Sequence, residues 1–154
     1  MPVQLPGPAT RTRVTQQIAA DPTSTALLLA SPTALELWPG VRRIADIDGR
    51  VVVETHLSPE RAAAASVRAL PPQRTPTSYV TRFDWAGPGL PATSGVLTLG
   101  YAPTSNGEVG THAVLVLDSR GFDPRVLDEQ ALTAMASGFL ANLGRAAELR
   151  AHAA

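Results

Sequence analysis

Apolar and polar residues alternate in several segments of the chain, a pattern typical of β-strands with one buried face. Within residues 77–86, for example, Tyr79, Phe83 and Trp85 fall on the same face. Asp48-Gly49 lies between two such segments and is a strong signal for a two-residue hairpin turn. The pattern predicts strands over residues 10–18, 41–46, 50–57, 77–86, 93–102 and 109–118.

The segment 62–70 is harder to assign because its alanine run favours a helix. Pro59 precedes the segment and Pro71 follows it, and the elements on both sides are predicted strands. Nine residues between prolines suit one strand, so we assign the segment to the sheet. The predicted sheet therefore has six or seven strands.

Two short helices are predicted between the first and second strands. Asp21-Pro22 supplies a capping aspartate and a proline in the first turn, and the run that follows to residue 30 is largely apolar. Ser31-Pro32 repeats the start signal for a second short helix over residues 33–38. Pro39-Gly40 ends that helix.

The last predicted element is a long amphipathic helix. Asp123-Pro124 gives its cap and first turn, and the helix continues to about Arg150. At about 27 residues it would be about 40 Å long. Its apolar stripe recurs every four residues, through Leu127, Ala131, Met135, Phe139 and Leu143, and is widened by Leu132, Ala136 and Leu140.

The order of these elements predicts an α+β fold. Consecutive antiparallel strands need only short turns, and a sheet and a helix with one apolar face each must cover one another. A long twisted sheet curves around a single helix and touches it closely along only part of its length. We therefore expect a curved antiparallel sheet around the C-terminal helix, with an apolar space between them that the short helices close at one end.

Composition limits the classes of function. The chain has 154 residues, which fits one domain over residues 10–150 preceded by a flexible arm at 1–9. It has no cysteine, which excludes disulfides and thiolate-bound zinc. Thirteen basic residues balance thirteen acidic ones, which argues against a broad surface for nucleic acid or anionic membrane.

The basic residues are all arginine, and no apolar run is long enough to span a membrane. The arginine bias is typical of GC-rich coding, as in actinobacteria, and the absence of lysine excludes Schiff-base chemistry. With no targeting segment apparent at the start, we expect a soluble, cytoplasmic protein.

No catalytic or metal-binding motif is visible, and no cofactor is implied. The three histidines lack metal-ligand spacing, and no Gly-x-Ser-x-Gly or phosphate loop is present. Strand parity predicts that His56 faces solvent, whereas the orientation of His112 is undetermined. Glu54 and Asp84 would be candidate bases only if buried, and parity favours an exposed position for Asp84.

The chain resembles the SRPBCC superfamily, the helix-grip proteins that include START lipid-transfer domains and birch-pollen-allergen proteins. The similarity is greatest to its bacterial polyketide cyclase/dehydrase-like branch and covers about residues 10–150. It rests on element order and on four local patterns, Trp38-Pro39-Gly40, residues 74–79, residues 87–91 and residues 138–143. The resemblance implies a helix-grip fold, and members bind lipids, sterols, hormones or polyketides.

If the fold encloses a cavity, residues of the predicted inner faces become its walls. Each would otherwise be an ordinary core residue, since both interpretations require the same parity. Hydroxyl or amide groups would then orient a ligand, because apolar pockets usually contain a few placed polar groups. The predicted ligand-binding residues are Trp38, Tyr79, Thr81, Phe83, Leu97, Leu99, Met135, Phe139 and Asn142.

Three functions fit this sequence. The first is binding or carrying an apolar small molecule, such as a lipid or polyketide. The second is a cyclase, aromatase or dehydratase, in which enclosure fixes the substrate conformation and a polar group assists proton transfer. The third is a non-catalytic interaction domain with a filled core, for instance a homodimer formed through an edge strand. Cavity volume and ionisable groups inside the cavity distinguish them.

Overall fold

One antiparallel sheet wraps around a long C-terminal helix, as the sequence predicts. The computed structural model describes residues 10–31, 34–48, 50–58, 61–87, 90–120 and 129–152. The predicted arm at 1–9 and the predicted helix start at Asp123-Pro124 lie outside the described residues. The description below therefore concerns the sheet, the short helical segments and most of the long helix.

The sheet contains eight strands. They are β1 (Thr10–Ile18), β2 (Val41–Ile47), β3 (Arg50–Ser58), β4 (Arg61–Ala69), β5 (Gln73–Arg74), β6 (Ser78–Gly87), β7 (Leu90–Pro103) and β8 (Val109–Arg120). Seven of them lie side by side in the order β1-β8-β7-β6-β4-β3-β2, and β5 pairs with β6. All pairings are antiparallel.

The alanine-rich segment is strand β4, which confirms the assignment made from its flanking prolines. In the turn between β2 and β3, Ile47 pairs with Arg50, and Asp48 has a φ of 51°. That positive φ suits the first position of a two-residue hairpin turn. Strand β5 was not predicted, because two residues are too few to produce an alternating pattern.

The first short helix, α1 (Pro22–Leu29), starts as predicted, with the Asp21 side chain accepting a hydrogen bond from the Ser24 backbone N–H at 2.7 Å. The second is smaller than predicted and forms a single 3₁₀ turn over Ala34–Leu37. Pro39 disfavours helical geometry in the residue before it, which leaves little room for an α-helix.

The long helix α2 (Glu129–His152) packs on the concave face of the sheet. Its buried positions are Leu132, Ala136, Phe139, Leu140, Leu143, Gly144 and Ala147. The centre of the buried face is therefore rotated from the predicted stripe, and Ala131 and Met135 lie at its half-buried margin. None of the helices in the described part of the chain is both long and apolar enough to span a membrane.

The chain thus has the helix-grip architecture. Strands β7 and β8 form the centre of the core, where Leu97, Leu99, Leu115 and Leu117 are at most 1% exposed beneath α2. A second group of buried residues on β3 and β4, centred on Val53, lies apart from this main core. The division leaves room between the two groups.

Candidate functional site

A cavity of about 80 Å³ occupies the space between the two buried groups. Helix α2 forms one wall, the 3₁₀ turn and the end of α1 form a second, and strands β3, β4, β6 and β7 form the floor. Ala69 is exposed and several other lining residues are half-buried, so the cavity reaches the surface. The lining comprises Leu29, Ala34, Leu35, Trp38, Val41, Val53, Thr55, Ala65, Val67, Ala69, Thr81, Phe83, Trp85, Leu97, Met135 and Phe139.

Four aromatic rings dominate one side of the cavity. Trp38 stacks on Phe139 with ring centroids 4.4 Å apart, and it meets Trp85 and Phe83 edge-on at 5.2 and 5.8 Å. Phe83 and Trp85 stack on each other at 5.7 Å. These geometries are favourable for aromatic pairs. Trp38 is therefore the shared member of the cluster, and its position sets the shape of the cavity.

The turn that carries Trp38 is fixed to α2 by two further contacts. The Asn142 side-chain amide donates a hydrogen bond to the Leu37 backbone carbonyl at 2.7 Å. Pro39 packs directly on Gly138, where a Cβ would collide with the proline ring. Glycine at this position thus permits a close approach between the turn and the helix. Together these contacts make Trp38 a fixed wall of the cavity.

Replacing Asn142 should loosen this wall. Asn142→Leu keeps the approximate shape of the side chain but removes its hydrogen bond to the Leu37 carbonyl, so we expect a loss of about 1–2 kcal/mol in unfolding free energy. In a Trp85→Phe background, fluorescence reports Trp38 alone, and its emission should shift to the red. Unchanged stability together with unchanged emission would show that Asn142 does not position the turn.

The structure brings together six of the nine predicted ligand-binding residues. Trp38, Thr81, Phe83, Leu97, Met135 and Phe139 line the cavity. Their ligand-binding role stays a prediction, since residues that line a cavity need not contact a ligand.

The other three predicted residues lie outside the cavity lining. Leu99 is fully buried in the main core, and the Tyr79 hydroxyl is hydrogen-bonded to Thr23 Oγ1 on α1 at 3.0 Å. Helix α1 covers this end of β6 and β7, which strand parity alone does not reveal. The Asn142 side chain is hydrogen-bonded to the Leu37 backbone carbonyl, as described above. Its polarity near the apolar stripe is accounted for by a tertiary hydrogen bond within the protein.

Several lining residues are not among the nine predicted ligand-binding residues. Trp85 was predicted on the same inner face as Phe83 but is not one of the nine, and Val53 and Thr55 share the inward parity of β3, so the signal for these three was present. Ala65 on β4 gave no signal, because an uninterrupted alanine run has no polar face. Finding it requires the register of β4 against β3.

The cavity contains only two polar side chains, Thr55 and Thr81, among its described lining residues. Thr81 is 7% exposed, and its Oγ1 is buried with no hydrogen-bond partner within the described structure. Thr55 is 6% exposed. A buried hydroxyl without a partner is unfavourable by about 1–3 kcal/mol. Within the described lining, the Thr81 hydroxyl is thus the hydrogen-bonding group that is both fully buried and unpaired.

The candidate acid and base residues lie away from the cavity. Glu54 binds Arg42 at 3.1 Å and His56 at 2.8 Å on the outer face of β2 and β3, where His56 is exposed as predicted. Asp84 also faces outward, 3.8 Å from Arg50. The side chains of Glu54, His56 and Asp84 therefore lie on the outer face of the sheet and not in the cavity.

Two further titratable groups lie on the edge strand β1 and its neighbour β8. His112 Nδ1 is 2.7 Å from Gln17 Nε2. The hydrogen bond and negative charge of Asp118 raise the pKa of the exposed Arg11. In the part of the chain that the structure describes, no three His, Asp or Glu side chains are grouped to hold a metal ion.

Comparison with known proteins supports the fold. No protein-family model matches the chain, and no curated protein sequence matches it. The Zhui aromatase/cyclase from Streptomyces sp. R1128 is 17% identical, with a TM-score of 0.61 over 94% of this chain and 96% of that one. A norcoclaurine synthase mutant from Thalictrum flavum is 9% identical, with a TM-score of 0.62 over 96% and 99%.

A conserved protein from Geobacillus kaustophilus has a TM-score of 0.63 at 9% identity, over 90% of this chain and 95% of that one. The aromatase/cyclase and the norcoclaurine synthase are proteins of the SRPBCC, birch-pollen-allergen-like group. The comparisons therefore agree with the fold that the sequence resemblance implies. Identities this low concern the fold alone, and function depends on the residues of the site.

Proposed function

We propose that this helix-grip protein binds a neutral, mostly apolar small molecule, of lipid or polyketide type, in the cavity between its sheet and α2. The observation that carries the proposal is the composition of the wall. Of sixteen described lining residues, fourteen are apolar, two are threonines and none is charged. Burying an unpaired charge is strongly unfavourable, so such a wall selects against ionised ligands.

The cavity must widen to admit its ligand. Its volume of about 80 Å³ is roughly half of the ~150 Å³ at which an engineered apolar cavity takes benzene, and most ligand pockets hold about 300 Å³ or more. Met135 is half-buried at the margin of α2, and its unbranched side chain changes rotamer easily. We propose that Met135 moves to open the site while Trp38 stays fixed.

A neutral fluorescent probe, N-phenyl-1-naphthylamine, tests the proposal. It should bind with low-micromolar affinity, about −8 kcal/mol. Ala65→Leu enlarges a side chain on the floor of the cavity. It should weaken probe binding by about tenfold, because the leucine side chain occupies space that the probe needs. Ala65 is only 4% exposed and lines the cavity.

Ala64→Leu is the matched control. Ala64 is the preceding residue on β4, is exposed on the opposite face and receives the same substitution. Its probe affinity should equal that of the wild type. Equal weakening in both variants, or no binding of the probe to the wild type, would remove the support for a ligand-binding cavity.

A second function, catalysis of the aromatase or cyclase type, is favoured by the similarity in fold to an aromatase/cyclase and to a norcoclaurine synthase. The described lining provides no carboxylate or imidazole for proton transfer. The composition of the cavity lining therefore favours binding without a chemical step over catalysis. We also propose that the protein is cytoplasmic.

Self-association, the third alternative, has weaker support. Strand β2 lies at one edge of the sheet and exposes Ile44 and Ile47, at 53% and 56%. The pairing register of β2 with β3 shifts between Arg43 and Ala45. Bulges of this kind twist an edge strand and hinder its pairing with another chain. Sedimentation of the purified protein as a monomer would agree with this argument.

A further inference from the structure

We infer that Thr81 is the residue that selects the ligand, and that the preferred ligand is a flat aromatic molecule with one neutral hydroxyl or carbonyl group. The inference deepens the proposed function and rests on it. Thr81 supplies the cavity atom that recognises the ligand, and the chemistry of that atom determines which ligand group it can bind.

The hydroxyl of Thr81 is both buried and unused. Thr81 lies on β6, opposite Leu97 of β7 and two residues before Phe83 on the same face, and both neighbours line the cavity with it. Its Oγ1 has no hydrogen-bond partner within the described structure. Rotation about the Cα–Cβ bond moves the hydroxyl from one staggered position to another, which gives it a way to turn towards a ligand in the cavity.

A hydroxyl can donate one hydrogen bond and accept two. A ligand carbonyl or hydroxyl that reaches Thr81 would supply its missing partner and be satisfied itself. A purely apolar ligand would leave Oγ1 unpaired, and a charged one would lose hydration without meeting a counter-ion on this wall. The group that Thr81 recognises is therefore polar and neutral.

The aromatic cluster defines the remainder of the ligand. Trp38, Phe83, Trp85 and Phe139 offer ring faces and edges on one side of the space that Thr81 adjoins. Rings prefer offset-stacked or edge-on contacts with other rings. A planar aromatic body fits beside them with less loss of conformational entropy than a flexible chain of the same area.

The test compares 2-naphthol with naphthalene, which share a ring system and differ by one hydroxyl. Affinities are measured by displacement of N-phenyl-1-naphthylamine. Wild-type protein should bind 2-naphthol about fivefold to tenfold more tightly than naphthalene, the equivalent of one net hydrogen bond. Thr81→Val, which replaces the hydroxyl by a methyl group, should abolish this preference and leave naphthalene affinity unchanged.

Thr12→Val is the matched control. Thr12 on β1 is 5% exposed, and its Oγ1 is likewise buried without a partner in the described structure, but it does not line the cavity. This variant should keep the preference for 2-naphthol. Thr81→Ser retains the hydroxyl and should also keep it, which separates loss of the hydrogen bond from any change in folding.

Three outcomes would overturn the inference while leaving the proposed function intact. They are equal wild-type affinity for both probes, a Thr81→Val variant that keeps the preference, and a preference lost only in Thr55→Val, the other threonine of the lining. If neither naphthalene probe nor N-phenyl-1-naphthylamine binds the wild type, the proposed function and the role of Thr81 fail together.

Discussion

Phe139→Ala should lower the free energy of unfolding by about 3–5 kcal/mol, the usual cost of removing a buried phenylalanine side chain. Phe139 is 3% exposed in the middle of α2 and stacks on Trp38 at 4.4 Å. Removing its ring deletes that pair and enlarges a cavity that is already present. Neighbouring side chains therefore cannot collapse into the gap without moving the turn at Trp38, which α2 holds in place.

Urea denaturation, followed by circular dichroism, measures this loss, with an unchanged m-value as the sign that only stability has changed. Leu149→Ala is the control on the same helix, because Leu149 is 67% exposed. It should change stability by less than about 0.5 kcal/mol. A loss below about 1 kcal/mol for Phe139→Ala would show that the ring is not part of the core.

The enlarged cavity of Phe139→Ala also bears on ligand binding. Deleting the ring brings the space closer to the ~150 Å³ that admits benzene in an engineered cavity. Ligand should therefore recover part of the lost stability, by an amount that grows with ligand concentration. Phe139→Ala therefore lowers stability and enlarges the cavity for the same reason, because it removes the ring of α2 that packs on Trp38.

The sequence predicts the fold well because the fold depends on periodicity. Alternation along β1 and the apolar face of α2 are properties of single elements, and both are present in the structure, although the buried face of α2 is rotated from the predicted stripe. Even β4 could be assigned, since Pro59 and Pro71 limit its length. Strand β5 was not predicted, because an element of two residues is too short to show a period, and the 3₁₀ turn is shorter than the helix that the sequence predicts there.

The cavity could be predicted only in part, because it depends on contacts between elements. Parity places Tyr79 and Phe83 on the same face, yet α1 covers the first and leaves the second beside the cavity. In the sequence, Asn142 is only a polar residue near an apolar stripe. Its hydrogen-bond partner, the Leu37 carbonyl, is known only once the 3₁₀ turn is placed against α2. Such distinctions require tertiary positions that local patterns do not contain.

Gly95 is the clearest case of a residue whose importance is invisible in the sequence. It lies on β7, opposite Phe83 of β6, and the Phe83 ring covers its backbone so closely that a Cβ at this position would overlap the ring carbons. The absence of a side chain thus creates the site in which Phe83 lies. Glycine normally weakens a strand, so this close approach offsets a local cost.

Gly95→Ala should therefore displace the Phe83 ring towards the cavity and lower stability by about 1–3 kcal/mol. Because the displaced ring occupies ligand space, affinity for N-phenyl-1-naphthylamine should also fall, by at least about tenfold. Urea denaturation and probe titration of the same preparation measure the two effects. Both arise from one collision, so they should appear together.

Gly100→Ala supplies the control, with the same substitution on the same strand. The nearest atom to a Cβ there is the His112 carbonyl oxygen at 3.8 Å, an ordinary contact. Reduced freedom of the unfolded chain should make this variant about 0.4–1 kcal/mol more stable, with unchanged probe affinity. If Gly95→Ala behaves in the same way, the Phe83 ring can move without cost, and the contact between Gly95 and Phe83 does not shape the cavity. If stability falls and affinity does not, the ring moves away from the ligand space, and the cavity must widen near β6 instead.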